Sequence, residues 1–281
     1  MTPPLSRSTR ILFTDLDATL LDEQTYAFEA ARPAIEALQV EGIPIVFCTS
    51  KTFAESVVLQ EAMGIHAPLI VENGGAIYFR QGELDPTGLD VFPKGDWQRV
   101  SLGVPHRALL AQLVAIKELT GIEIRHFSTM TPEEIANECG LSLEAAERAR
   151  AREFDEPFRI LSGRPEDLEQ VTRMMEGIEL TISRGGRYHH LSGRSDKGRA
   201  VRKVCEFQRK SRGPIQSVGI GDSPNDLPML QAVDIPVVVM RHGNTHDSQL
   251  REGVPGALLA KGVGPVGWNA AVLELLSGGR W

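Results

Sequence analysis

The strongest constraint on this chain's fold is a rhythm of short apolar runs, each stopping on a polar residue, with helix-spaced segments between them. "RILFTD" (10–15), "IPIVFCT" (43–49) and "PLIVEN" (68–73) have the length and composition of strands buried on both faces. Between the first two, "FEAARPAIEALQVEG" carries apolar residues at helical spacing and closes on Gly42. After the second, Thr52 and Glu55 stand in capping-box spacing, and the helix they open runs to Gly64. The rhythm returns in "PIQSVGIGD" (214–222) and "DIPVVVM" (234–240). Repeated units of this kind predict an α/β fold, a doubly wound parallel sheet of Rossmann-like type. Ligands of such sheets bind beyond the carboxyl ends of the strands, where Asp15, Thr49, Glu72 and Asp222 fall.

The middle of the chain has another texture. From 85 to 189 Arg and Glu increase, apolar strands thin out, and amphipathic helices are expected in "PHRALLAQLVAIKELTG", "TPEEIANECG", "SLEAAERARAREF" and "RPEDLEQVTRMMEG". We read residues 85–189 as an inserted second domain on a core made of 1–84 and 190–281, with hinges at "RQGELDPTG" and "LSGRSDKG". A length of 281 residues allows two domains, and 42% hydrophobic with 24% charged residues is the composition of a globular chain.

Charge and cysteine usage narrow the function class. The net charge of −7 is dispersed, and no Lys/Arg stripe tracks a phosphate backbone, so nucleic acid is not an expected partner. No apolar stretch is long enough to span a membrane, and "MTPPLSRSTR" lacks a secretory signal, so the expected location is cytoplasmic. Cys48, Cys139 and Cys205 are far apart without a C-x-x-C pair, as expected of inert thiols in a reducing compartment.

"FTDLDATLLD" (13–22) carries the chemistry. Residues i and i+2 of an extended backbone point to the same side, so Asp15 and Asp17 share one space and repel unless a cation or shared proton intervenes. Three further elements converge on the same sheet edge: the hydroxyls of "CTSK" (48–51), Lys197 in "SDKGRAV", and "GDSPNDLPML" (221–230). This D-x-D-x-T-L, Thr/Ser, Lys and G-D-x-x-N-D set, in this order, resembles the four motifs of the haloacid dehalogenase superfamily of phosphatases.

The resemblance implies roles that phosphoryl transfer can use. Asp15 is the expected nucleophile, forming an aspartyl phosphate, and Asp17 the acid for the leaving oxygen and base for the hydrolytic water. Thr49 donates to a phosphoryl oxygen, and Lys197 bridges Asp15 and the phosphoryl group. The implied cofactor is Mg²⁺ on the carboxylates of Asp15 and Asp222 and the backbone carbonyl of Asp17, with Asn225 and Asp226 orienting its ligands. Ala18 stands where many relatives have Gly, and Ala forbids some backbone geometries that Gly permits; the turn after the nucleophile need not be left-handed.

The insert at 85–189 resembles the α/β cap domain of one superfamily branch that acts largely on sugar phosphates, and within that branch strings across the chain resemble the mannosyl-3-phosphoglycerate phosphatase family: "CTSKT", "VENGGAI", "REFDEPF", "GGRYHHLSG", "SDKG" and "GVGPVGW". The implied partner is a small phosphorylated glycoside, and the implied product the compatible solute mannosylglycerate. Arg184 and Arg187 are then candidates for the glycerate carboxylate, Glu72 and Asn73 for sugar hydroxyls, with Gly74 and Gly75 allowing close approach, and His190 for a further contact. "REFDEPF" either lines the pocket or caps a helix end. A glucosyl-3-phosphoglycerate or sucrose-phosphate phosphatase, a phosphomutase, or a catalytically silent sugar-phosphate sensor are the competing readings.

Overall fold

The computed structural model describes residues 9–162, 164–184, 188–278 and 281, together with their side chains except that of Arg184. Its strands are β1 (Thr9–Thr14), β2 (Ile45–Cys48), β3 (Leu69–Val71), β4 (Ala76–Arg80), β5 (Phe92–Lys94), β6 (Trp97–Ser101), β7 (Ile124–His126), β8 (Asp155–Ile160), β9 (Leu180–Arg184), β10 (His189–Gly193), β11 (Ile215–Gly221), β12 (Ile235–Met240) and β13 (Leu258–Val263). The helices are α1 (Arg32–Val40), α2 (Phe53–Met63), α3 (His106–Thr120), α4 (Pro132–Cys139), α5 (Leu143–Arg150), α6 (Pro165–Glu176), α7 (Lys197–Arg212), α8 (Leu227–Leu230), α9 (Ser248–Gly253) and α10 (Gly264–Ser277). None is long and apolar enough to cross a membrane.

Nine strands form the main sheet in the order β13-β12-β11-β1-β2-β3-β4-β6-β5. The six from β13 to β3 pair in parallel, and β4, β6 and β5 extend the sheet antiparallel. The chain steps outward from β1 through β2 to β3 on one side and from β11 to β13 on the other. Right-handed crossovers in opposite directions place the helices on opposite faces. Accordingly, α1 packs with α10, and α7 packs with α8. The expected Rossmann-like, doubly wound core is present, and the reversal of strand order at β1 and β11 opens a crevice at their carboxyl ends.

Local signals read in the sequence act as capping chemistry requires. Thr52 Oγ1 accepts from Glu55 N while the Glu55 carboxylate accepts from Thr52 N, and Gly64 ends α2 in the left-handed region. Thr131 and Glu134 make the same box at α4.

A second sheet, β7-β8-β10-β9, is wholly antiparallel and packs Phe158, Leu191 and Leu180 against α3 and α6. This corrects the expected 85–189 boundaries at both ends. Residues 92–101 pair with β4 and belong to the main sheet, while β10 (189–193) pairs with β8 and β9 in the inserted one. The crossings run through 102–105 and 194–196, so "RQGELDPTG" precedes a core hairpin and is not a hinge. The hairpin is a short edge ribbon with Phe92 and Pro93 exposed, which leaves little apolar pattern to read.

Candidate active site

The register of β1 with β11 assembles the acidic cluster. Thr14 lies opposite Ile220 and Asp15 N donates to the Ile220 carbonyl, so Asp15 and Asp222 leave adjacent strand ends together. Lys197 is fully buried at the first position of α7, whose cap Asp196 accepts from Arg199 N at 2.7 Å. Its ammonium donates to Asp15 Oδ1 at 2.7 Å and to Asp226 Oδ1 at 2.6 Å. The second oxygen of Asp226 accepts from the backbone amides of Asp222 and Ser223, so both its oxygens are engaged in orienting neighbours. Gly198 brings α7 onto α8: a Cβ there would lie 2.1 Å from the Pro228 carbonyl oxygen.

Charge in the cluster is not balanced by Lys197. Burial, and then the charge of Asp226, push the Asp15 carboxyl well above its ordinary range, and the same two causes push Asp222 up to about 7. Among the described residues, Asp15, Asp222 and Asp226 form a buried group that could hold a metal ion, with one oxygen from each within 4.8 Å of the others. An all-carboxylate oxygen set with excess negative charge fits a hard cation. Thr19 adds a hydroxyl bond to Asp222 Oδ1 at 2.9 Å.

Asp17 is not part of that buried group; its side chain is 41% exposed and its Oδ1 lies 2.8 Å from Lys51 Nζ. Ala18 beside it has φ +57°, so this turn does enter the left-handed region. A methyl there costs about 1–2 kcal/mol of backbone strain, which explains why glycine suits the position. Thr49 is buried, and its hydroxyl accepts from Lys51 N at 3.1 Å. Asn225 Oδ1 accepts from Ser223 Oγ at 2.6 Å, and its amide reaches Asn73 Oδ1 at 3.4 Å.

Several expected substrate groups have other partners. Glu72 is buried, and its carboxylate accepts from Glu153 N at 3.0 Å and Phe154 N at 2.7 Å, so it is spent on the inserted segment's backbone and not open to sugar hydroxyls. The close approach that Gly74 and Gly75 permit is also within the chain: a Cβ would lie 2.2 Å from the Asp196 carbonyl oxygen and 2.5 Å from Phe154 Cβ, respectively. His190 Nδ1 sits 3.0 Å from both oxygens of Asp155, so its Nδ1–H donates to that buried carboxylate. The Arg184 side chain and all of Arg187 lie outside the described residues.

In "REFDEPF", Arg152 borders an open pocket with His106, Ser128 and Arg150 and donates to the Ala149 carbonyl in the last turn of α5 at 2.9 Å, while Glu153, Asp155 and Glu156 are taken up in ion pairs. Arg152 donates to the Ser50 carbonyl at 2.8 Å and pairs with Asp155. Glu153 accepts from Tyr78, Lys94 and Arg99 of the main sheet. Glu156 binds His106 and His126 at 2.5 and 2.6 Å; although burial works against it, these bonds hold its carboxyl down at about 2.

Four residues escaped the sequence reading. Trp268, in "GVGPVGW", donates its indole N–H to Thr14 Oγ1 at 3.0 Å, and that hydroxyl donates to the Asp15 carbonyl, buttressing the Asp15 backbone. Arg241 lies 3.3 Å from Asp222 Oδ2. Arg152 braces the second motif, and Lys51 pairs with Asp17. The aromatic in a Gly-rich string at 268 was a legible hint; the basic residues carried no distinguishing signal.

A sequence profile of haloacid dehalogenase-like hydrolases matches residues 12–92 and 123–247. The chain is 38% identical over 95% of its length, and 97% of the relative's, to the glucosyl-3-phosphoglycerate/mannosyl-3-phosphoglycerate phosphatase of Methanococcoides burtonii. It is 32% identical over 82% of its length, and 90% of the relative's, to the mannosyl-3-phosphoglycerate phosphatase of Pyrococcus horikoshii. In fold it is similar to a Thermoplasma acidophilum protein, with TM-score 0.68 at 18% identity over 96% of this chain and 99% of that one. It is also similar to the Synechocystis sucrose-phosphatase in complex with sucrose and phosphate, with TM-score 0.58 at 15% identity over 96% and 98%.

Proposed function

The chain belongs to the haloacid dehalogenase-like hydrolases, and from that premise we propose that it is a Mg²⁺-dependent phosphatase of mannosyl-3-phosphoglycerate and its glucosyl epimer. The observation that carries the chemistry is Lys197, buried and shared between Asp15 and Asp226 beside Asp222. A buried ammonium on a strand-end carboxylate holds one oxygen of Asp15 in place and leaves the other free to attack phosphorus. The substrate class rests on the relatives' names together with the overall similarity along the chain.

In the first half-reaction, Asp15 attacks the phosphorus, and the P–O bond to the glycerate oxygen breaks with its electron pair on that oxygen. Asp17 supplies the proton it takes up. In the second, water attacks the aspartyl phosphate and gives a proton back to Asp17. Thr49 donates to a phosphoryl oxygen, and Lys197 offsets the charge that builds on phosphorus-bound oxygens. Mg²⁺, held by the Asp15 and Asp222 carboxylates and the Asp17 carbonyl, would neutralise phosphoryl charge when bound. Asp226 keeps Asp222 and Lys197 aimed.

The dual name of the Methanococcoides relative favours acceptance of both epimers, which differ in one hydroxyl orientation worth about 1–3 kcal/mol at most. Phosphate release from a panel of glycosyl-3-phosphoglycerates, sucrose phosphate and simple sugar phosphates tests the proposal. Glycosyl-3-phosphoglycerates are expected to have the highest kcat/KM, and Asp15→Asn is expected to abolish turnover in a folded protein. A higher kcat/KM on sucrose phosphate would overturn the substrate, and substantial activity in Asp15→Asn the mechanism.

A further inference from the structure

Lys51 is more firmly placed than a lysine on a loop needs to be. Its amide donates to Thr49 Oγ1 at 3.1 Å, its carbonyl accepts from Glu72 N at 3.0 Å, and Thr52 behind it is the cap of α2. Its side chain is only 13% exposed, crosses the Tyr26 ring with Nζ 5.1 Å from the centroid, and ends 2.8 Å from Asp17 Oδ1 and 4.0 Å from Glu55 Oε1. Burial draws its pKa down, but Asp17 and then Glu55 outweigh that, and the net direction is upward, so the group is an ammonium.

The cations of the site divide the carboxylates among them. Lys197 holds Asp15 and Asp226, and Arg241 lies against Asp222. Asp17 is part exposed beside the left-handed Ala18, and Lys51 is the cation in ion-pair range of it among the described residues.

We infer that Lys51 is a positioning residue for Asp17, holding one oxygen of its carboxyl so that the group stays oriented for the leaving alcohol. This role rests on Asp17 being the proton donor, as proposed above. Oδ1 is held 2.8 Å from the Lys51 ammonium, which leaves Oδ2 as the oxygen not taken up by that pair. As the Asp15–phosphorus bond forms and the phosphorus–alcohol bond breaks, the departing oxygen keeps the electron pair and takes the proton that Asp17 supplies. Lys51 itself neither gains nor loses a proton.

Leaving-group dependence separates this role from a structural one, because a proton donor matters more as the departing oxygen becomes more basic. The variant is Lys51→Met, which keeps the stem over Tyr26 and removes the charge. The readout is kcat/KM, which covers the steps up to departure of the alcohol, on p-nitrophenyl phosphate, phenyl phosphate and mannosyl-3-phosphoglycerate. The expected result is a loss under threefold on the nitrophenyl ester, larger on the phenyl ester, and roughly 10–100-fold on the glycoside, a part of what general acid catalysis contributes. Asp17→Asn is expected to show the same order, and the double variant to be no worse than Asp17→Asn alone. Equal losses on all three substrates, with the melting temperature lowered, would make Lys51 structural and overturn the inference. Equal aryl losses with a raised KM on the glycoside alone would make it a holder of the substrate's carboxylate, and would equally overturn it. If Asp17→Asn itself lacked the leaving-group order, the reading of Asp17 would fall, whatever Lys51 did.

Discussion

Replacing Glu72 with Ala removes the acceptor of two backbone amides, those of Glu153 and Phe154, in a place where Glu72 is 1% and Phe154 3% exposed. Water reaches such groups poorly, and each buried donor left unpaired costs about 1–3 kcal/mol. The expected destabilisation is therefore about 2–6 kcal/mol. The backbone adds nothing to the difference, since φ +49° at position 72 is as unfavourable for Ala as for Glu. Equilibrium urea unfolding followed by tryptophan fluorescence measures it, and a loss below about 1 kcal/mol would refute the assignment of Glu72 as a load on folding. The pH dependence gives an independent check. Burial, partly offset by Arg152, pushes the Glu72 carboxyl up to about 7 from an ordinary 4.5. The folded state then binds a proton more tightly than the unfolded one, so this group's contribution to stability is full below about pH 4.5 and falls as pH rises through 7. Glu72→Gln, which cannot titrate, is expected to gain on the wild type between pH 5 and pH 8, by roughly 3 kcal/mol at the upper bound. A difference that does not vary with pH, or varies in the opposite sense, would show the carboxylate to be ionised throughout.

Three further outcomes are expected. EDTA is expected to abolish phosphate release and added Mg²⁺ to restore it, because the Asp15, Asp222 and Asp226 cluster carries more charge than Lys197 offsets; full activity in metal-free buffer would count against the mechanism. Trp268→Phe removes the indole donor to Thr14 and is expected to cost about 1–3 kcal/mol in urea melts, from a lost hydrogen bond and a smaller ring, while lowering kcat more than it raises KM. Ala18→Gly relieves the left-handed strain and, after the added freedom of the unfolded chain is subtracted, is expected to gain up to about 1 kcal/mol; a clear loss would mean that the buried methyl packs better than the turn suffers.

What could be read from the residues divides along a physical line. Asp15, Asp222 and Lys197 were legible because a charged residue at the end of an apolar strand or the start of a helix is already out of place, and the sheet geometry says where it goes. The parallel half of the sheet was legible for the same reason, as apolar length and helical spacing are local properties. The partners of Glu72 were not, since backbone amides 81 and 82 residues away have no side-chain signature. Nor were the His106–Glu156–His126 pairs, which register and a helix start bring together from three elements. The 92–101 hairpin was missed because ribbons of three and five residues leave too short a pattern.

The segment from Arg148 to Phe154 touches the core at more than its covalent crossings: Thr52 donates to the Arg148 carbonyl, Arg152 to the Ser50 carbonyl, and Glu72 receives the amides of 153 and 154. A chimaera that grafted this inserted sheet onto a relative's core, cut neatly at 102–105 and 194–196, would carry in donors and acceptors whose counterparts stayed behind. Residues 50, 52 and 72 would have to travel with the graft, so the unit of exchange in this protein is discontinuous in sequence and larger than the inserted sheet.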